Sequence, residues 1–273
     1  MTVLVTGARG TVGRHVVKQL LNKGQSVRAV SRNPETAVFP EGVEVVAGDL
    51  TAPDTLVNAF HGVTVVYLIT SSDDAYASMQ TDARIVELAE KAGVKRVAVL
   101  VGGYDEGPVE EALRKSAMDW TMLKPVEFMV NALTDWQFSI RSEGVVREPF
   151  ASTLSARVHE ADIAGVAVAA MLEDGHHGQV YWLTGPEVLS RREAVEIISE
   201  AIGKRIRFEE LTEDQARAKW RAEGYDEESI DFFALMGKNP PEVGYTVLPT
   251  VEQVTGRRAR TFAEWAIEHK DSF

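Results

Sequence analysis

The stretch Gly7-Ala8-Arg9-Gly10-Thr11-Val12-Gly13 directly follows the β-branched run Val3–Thr6 and opens the helical stretch Gly13–Asn22. Glycines at this spacing suit an anion. Gly7 permits a tight turn, Gly10 lets the backbone approach a pyrophosphate, and Gly13 lets the helix pack closely on the strand. Thr11, Val12 and Gly13 then present the first helical N–H groups, at the positive end of the helix dipole, to the phosphates. A glycine triplet alone is a weak signal. Strand, glycines and helix in this order are a strong one.

The second strand ends in Ser31-Arg32-Asn33, where a dinucleotide site selective for NAD carries an acidic residue for the ribose 2′-hydroxyl. A carboxylate there would repel a 2′-phosphate. Arg32 would pair with it, Ser31 could donate to it, and Arg9 in the turn can reach the same place, so NADP(H) is favoured, with NAD(H) as the second choice. The alternative reading of Arg32 is a solvated loop charge. Asp49 can accept from an adenine amino group with Leu50 covering the ring; Asp49 can equally be an N-cap for a helix starting near Pro53. Leu68, Ile69 and Thr70 end the fourth strand, where the ribose and nicotinamide should pass. Pro125 ends the sixth, and Glu127 beyond it either orients the nicotinamide amide or caps a short helix. Ser71, Gly102, Gly103, Tyr104, Phe128, Met129 and Trp136 follow strand carboxyl ends, where open α/β sheets bind ligands, and form the expected substrate pocket. Tyr104 is the candidate proton donor, or else a surface loop tyrosine. Phe128, Met129, Trp136 and Phe138 form either an aromatic wall or core between lobes.

The elements that must position these residues follow a regular rhythm. Val3–Thr6, Val27–Ser31, Val43–Ala47, Thr64–Leu68, Arg96–Val101 and Trp120–Leu123 read as strands buried on both faces. Gly13–Asn22, Ala77–Ala92 and Val109–Ser116 read as helices between them. Alternation at this spacing predicts a doubly wound parallel sheet over residues 1–125. Beyond Pro125, Glu160–Leu172 reads as an amphipathic helix, Gln179–Leu183 as a strand, Arg191–Ile202 as a helix and Ile206–Leu211 as a strand. Glu213–Leu235 reads as helix broken at Gly224, and Thr261–His269 as a short last helix. Residues 126–273 are therefore expected to form a smaller α/β lobe, partly interleaved with the sheet.

Composition bounds the rest. With 273 residues, 45% of them hydrophobic and 26% charged, the chain can bury a large core. Its formal charge of -12 opposes a nucleic-acid partner. The absence of cysteine excludes disulfides, thiolate catalysis and iron–sulfur clusters. His176-His177 between two glycines reads as a turn, and His159-Glu160 with Asp162 as a helix start, so no metal is expected. No apolar run is long enough to span a bilayer, and no leader is visible, so a cytoplasmic protein without a membrane partner is expected. A homodimer is one oligomeric option.

Several segments together resemble the NmrA-like branch of the atypical short-chain dehydrogenases/reductases. They are the strand and glycine turn of Val3–Gly13, Gly48-Asp49-Leu50, Ser116–Pro125, Phe128–Asn131, Asp162-Ile163-Ala164, Leu183–Pro186 and Arg260–Trp265. The resemblance spans the chain and implies an NAD(P)-binding Rossmann fold with a small substrate lobe. Short-chain dehydrogenases usually carry Tyr-x-x-x-Lys, whose lysine lowers the tyrosine pKa. Here Tyr67, Tyr76, Tyr104, Tyr181, Tyr225 and Tyr245 are followed four residues on by Ser71, Gln80, Pro108, Gly185, Ser229 and Pro249. None is lysine. Reducing a ketone makes an alkoxide that needs a proton donor, whereas reducing a quinone makes a delocalised anion that takes its proton from water. The expected activity is thus an NAD(P)H-dependent reductase of quinones or polycyclic aromatics, with natural-product tailoring within its range. The alternative is a non-catalytic NADP(H) redox sensor acting through a protein partner.

Overall fold

The computed structural model describes residues 1–70, 82–102 and 106–273. In chain order its strands and helices are β1 (Thr2–Val5), α1 (Gly13–Asn22), β2 (Ser26–Ser31), β3 (Val43–Ala47), β4 (Val65–Ile69), α2 (Arg84–Lys91), β5 (Arg96–Leu100), α3 (Pro108–Lys115), β6 (Asp119–Pro125), α4 (Asn131–Glu143), β7 (Val145–Pro149), β8 (Leu154–Ser155), α5 (Glu160–Leu172), β9 (Gln179–Leu183), β10 (Leu189–Ser190), α6 (Arg191–Ile202), β11 (Arg207–Leu211), α7 (Glu213–Ala222), α8 (Glu227–Lys238), α9 (Thr250–Thr255) and α10 (Phe262–Glu268). They divide into two compact units. The first comprises Met1–Pro125, Glu160–Leu183 and Gln253–Gly256; the second comprises Val126–His159, Thr184–Glu252 and Arg257–Phe273.

The first unit is built on a seven-stranded, wholly parallel sheet in the order β3-β2-β1-β4-β5-β6-β9. The order reverses at β1, where β2 lies on one side and β4 on the other, and that reversal opens a crevice at the strand carboxyl ends. Thr6 ties the two strands there: its hydroxyl donates to the Tyr67 carbonyl at 3.1 Å and accepts from the Ile69 N–H at 3.0 Å. The central strands β1, β4 and β5 are buried along nearly their whole length because helices cover both faces. On one face, Leu4, Val66, Leu68, Val97 and Val99 pack with Phe60, Ile85, Val109 and Leu113 in one core. On α1, Val16, Val17 and Leu20 are buried at helical spacing.

Helix α5 corrects the sequence expectation. It has the anticipated bounds but is not amphipathic, because ten of its residues, including Glu160 and Asp162, are buried around most of its circumference. Helix α2 begins at Arg84 among the described residues; the expected start at Ala77 lies outside them. Helix α4 and strand β7 have no counterpart among the elements expected from the sequence pattern. The buried residues of α4 are Ala132, Trp136 and Ile140, one per turn, so its apolar stripe is too narrow to stand out.

The second unit holds two small sheets, β7 with β11 in parallel and β8 with β10 antiparallel. Met129, Ala132, Trp136 and Ile140 pack against Val195, Ile198, Phe262 and Trp265 to form its core. A satellite cluster of Ala216, Trp220, Ile230 and Ala234 joins α7 to α8. No helix among the described residues is long and apolar enough to cross a membrane.

Candidate dinucleotide site

Because all seven strands run the same way, the segments after β1 to β5 emerge at one edge of the sheet, and the first of them makes a cradle. Gly7 has φ +56°, and a Cβ on it would fall 2.5 Å from the Ile69 side chain. A Cβ on Gly13 would fall 2.0 Å from the Gly7 carbonyl oxygen, so only glycine lets α1 start this close to the turn. The turn closes through the Gly10 N–H, which donates to Gly7 O at 2.9 Å. Helix α1 has no side-chain cap and no acidic residue in its first turn. The N–H groups of Thr11, Val12 and Gly13 find no acceptor among the described residues. An uncapped helix start of this kind, at the switch point of a parallel sheet, fits a pyrophosphate. The residues present therefore fit a dinucleotide.

Beyond the turn, Arg9 and Arg32 are both exposed. Neither side chain makes a salt bridge or hydrogen bond among the described residues. The Ser31 hydroxyl is buried and accepts from the Asn33 N–H at 3.1 Å, which leaves its proton to donate elsewhere. Asp49 does not cap the short 3₁₀ turn at Pro53–Leu56, whose N-cap is Ala52. Its Oδ1 accepts instead from the Thr51 hydroxyl at 2.7 Å and the Thr51 N–H at 2.9 Å. Those bonds, with the Arg32 guanidinium adding to them, hold the Asp49 carboxyl below its ordinary pKa. Leu50 is buried in the core with Val30 and Leu56 and is not displayed as a cover for a ring. Leu68 is likewise core.

At the ends of β4 and β5 the structure adds a residue that the sequence reading passed over. Glu110 is only 2% exposed. Its Oε1 accepts from the Thr70 hydroxyl at 2.9 Å, and its Oε2 accepts from the Gly107 N–H at 2.9 Å. The Thr70 oxygen in turn accepts from the Gly102 N–H at 3.1 Å. The side chain of Thr70 is therefore engaged inside the protein and is not free for a ribose. Ser71, Gly103 and Tyr104 lie outside the described residues. Tyr67 is no substitute donor, since full burial raises its phenol far above the ordinary value.

A model of the family described as NAD(P)H-binding matches residues 7–174. The chain is 36% identical to (4-alkanoyl-5-oxo-2,5-dihydrofuran-3-yl)methyl phosphate reductase of Streptomyces griseus, over 99% of each chain. It is 34% identical to NAD(P)H azoreductase of Xenophilus azovorans, again over 99% of each. The chain belongs to this NAD(P)H-binding family. It lies in the NmrA-like branch of the atypical short-chain dehydrogenases/reductases and is an oxidoreductase. Among solved structures the fold is shared with an NADPH-dependent quinone oxidoreductase of Escherichia coli complexed with NADPH, at a TM-score of 0.80, 24% identity and coverage of 97% of this chain and 99% of that one. It is also shared with triphenylmethane reductase of Citrobacter sp., at a TM-score of 0.79, 22% identity and coverage of 99% and 100%.

In the second unit the expected pocket residues separate. Met129 and Trp136 are core side chains, Phe138 is exposed, and Phe128 is half-buried where its backbone bridges Val158. Glu127 is no helix cap: its Oε1 accepts from Nε of the buried Arg157 at 3.0 Å. The Arg157 guanidinium also lies 5.8 Å from the Trp136 ring centre, and its Nη1 has no hydrogen-bond partner among the described residues. Glu148 takes Arg191 at 3.5 Å and Lys219 at 3.3 Å. Asp135 is exposed on the surface, yet desolvation by the surrounding protein pushes its carboxyl up to about 7, with Glu148 and Glu127 adding to the shift and Lys219 and Arg191 opposing it. His176 and His177 face Tyr181 and Asp119 respectively, at 2.9 and 3.3 Å. No group of three metal-ligating side chains occurs among the described residues.

Proposed function

We propose that the enzyme uses NADPH to reduce quinones and related conjugated, electron-poor aromatic acceptors. The observation that carries this reading is the absence of any Tyr-x-x-x-Lys pair among all six tyrosines. General-acid assistance is worth roughly 10²- to 10⁴-fold in rate, and an ordinary ketone reduced here would forgo it. A quinone, an azo compound, a triphenylmethane dye and an alkanoyl-oxo-dihydrofuran share one property. Each draws the electron pair delivered with a hydride into an extended conjugated system, so no proton is needed at the same moment: the quinone, the azo compound and the dihydrofuran take one later from water, and a cationic dye needs none. The bound cofactor supplies the hydride. The residues of the chain hold and aim it: Gly7, Gly10 and Gly13 shape the turn, and the N–H groups of Thr11, Val12 and Gly13 take the pyrophosphate. Arg9, Arg32 and Ser31 take a 2′-phosphate, and Asp49 takes the adenine amine. Positioning alone then performs the chemistry.

The test is the loss of reduced-nicotinamide absorbance with NADPH and a panel of acceptors: quinones, an azo dye, a triarylmethane dye, a simple ketone and an aldehyde. Oxidation by the conjugated acceptors but not by the ketone or aldehyde is expected. Tight NADPH binding without oxidation by any conjugated acceptor would overturn the proposal.

A further inference from the structure

We infer that Glu110 sets the redox poise of the bound dinucleotide, its buried negative charge favouring the oxidised nicotinamide over the reduced one. The inference rests on the proposed NADP(H) reading of the first unit. Glu110 occupies the third position of α3, and its Oε2 accepts from the N–H of the N-cap residue Gly107, which has no side chain to bond back. A bond of this kind from an N3 glutamate to the N-cap N–H needs only one carboxylate oxygen and forms readily at a solvated helix start. Capping therefore does not account for the burial of Glu110, nor for the second oxygen. That oxygen reaches across to Thr70, at the carboxyl end of β4, and through Thr70 to Gly102, beyond the carboxyl end of β5.

The partners matter for charge. Glu110 receives its hydrogen bonds from a hydroxyl and an amide, both neutral, and no cation pairs with it among the described residues. By contrast, Glu106 in the same stretch is neutralised by a two-pronged bond to Arg114, at 2.8 and 2.5 Å. Lys124 on β6 is a buried cation, 5.4 Å from the Trp182 ring centre and close enough to Glu106 to lower the pKa of that carboxyl. Glu110 thus ties a buried carboxylate to the ends of β4 and β5, the strands beside the switch point over which a dinucleotide extends.

Donating a hydride converts a neutral dihydronicotinamide into a cationic ring, with two electrons and one proton leaving together as hydride. A fixed anion held in low dielectric near that ring stabilises the product cation. It therefore binds NADP⁺ better relative to NADPH and makes the bound couple more reducing. Glu110 acts through its field and through Thr70, so it is a positioning residue and not a catalytic one.

The deciding measurement is equilibrium binding of NADP⁺ and of NADPH to the wild type and to Glu110→Gln, with no acceptor present. Glutamine can keep the frame: its oxygen accepts from Gly107, its amide donates to Thr70, and the Thr70 hydroxyl turns to the Leu100 carbonyl, already 3.4 Å away. The ratio Kd(NADP⁺)/Kd(NADPH) should rise roughly three- to tenfold, the size expected of one partly screened buried charge. For a two-electron couple that is about 15 to 30 mV. Should E110Q fail to fold, the double variant Thr70→Val/Glu110→Met removes both partners together and should move the ratio the same way. An unchanged ratio, or one that falls, overturns the inference. The fragment 2′,5′-ADP, which lacks the nicotinamide, should bind wild type and variants equally. Failure of the wild type to bind it would overturn the NADP(H) reading instead.

Discussion

Replacing Arg32 by alanine should weaken NADPH binding far more than NADH binding. Arg32 is exposed and makes no competing salt bridge among the described residues, so nothing must be broken before it meets a phosphate. A hydrogen bond to a charged group contributes about 1.5–3 kcal/mol when well shielded. Solvent screening at an exposed site brings this to about 1–2 kcal/mol, or roughly 5- to 30-fold in Kd. Two features act on the size of the loss. Arg9 remains to carry part of the phosphate charge, which limits it. Asp49, held ionised by its bonds to Thr51, would lose the balancing charge of Arg32 and leave the site more negative, which enlarges it. Fluorescence titration with both cofactors measures the two constants directly. Raising ionic strength from about 0.01 to 0.1 M shortens the Debye length from about 30 to 10 Å, so wild-type NADPH affinity should fall with salt more steeply than that of the variant. Equal losses for NADPH and NADH would refute the assignment of the 2′-phosphate to Arg32.

Gly185→Ala should destabilise the second unit by about 3 kcal/mol in denaturant unfolding, because its Cβ would lie 1.9 Å from the Arg157 carbonyl oxygen, a backbone atom that cannot swing aside. A change within about 0.5 kcal/mol, the range of ordinary surface substitutions, would contradict that packing argument. Asp135→Asn should reveal a pH-dependent gap. The Asp135 carboxyl is raised from 3.8 to about 7 in the folded protein, so between those values the unfolded chain ionises while the native one stays protonated. Wild-type stability from this group is therefore present below about pH 4 and lost as pH rises to about 7. The advantage of D135N over wild type in urea unfolding should grow across that window and level off above it. Because Asp135 is exposed, solvent screening makes the gap small, but a gap constant from acid to neutral pH would refute the raised Asp135 carboxyl.

Local patterns carried the nucleotide half of the protein. A β-branched run, three spaced glycines and a helix start form one contiguous stretch, so Gly7, Gly10 and Gly13 were legible without any partner. The strand rhythm follows from burial on both faces, which leaves its mark on each run independently. Arg32 was legible because its place after β2 is fixed by chain order. Glu110 and Arg157 were not legible. Among neighbouring glutamates, Glu110 looks like any first-turn acid, and only the folding of β4 beside β5 brings Thr70 to it across 40 residues. Arg157 meets Glu127 across 30 residues of chain, and nothing in either neighbourhood announces the pair. Helix α5 was placed correctly but misjudged in character: from Ile163 to Leu172 it is apolar on every side, the mark of a helix buried all round rather than an amphipathic one. The sequence by itself determined the glycine turn, the parallel sheet and the absence of a Tyr-x-x-x-Lys acid. Tertiary structure decided which side chains remain available, since a hydroxyl such as that of Thr70 is a ligand or a strut depending on the groups the fold brings within hydrogen-bond distance.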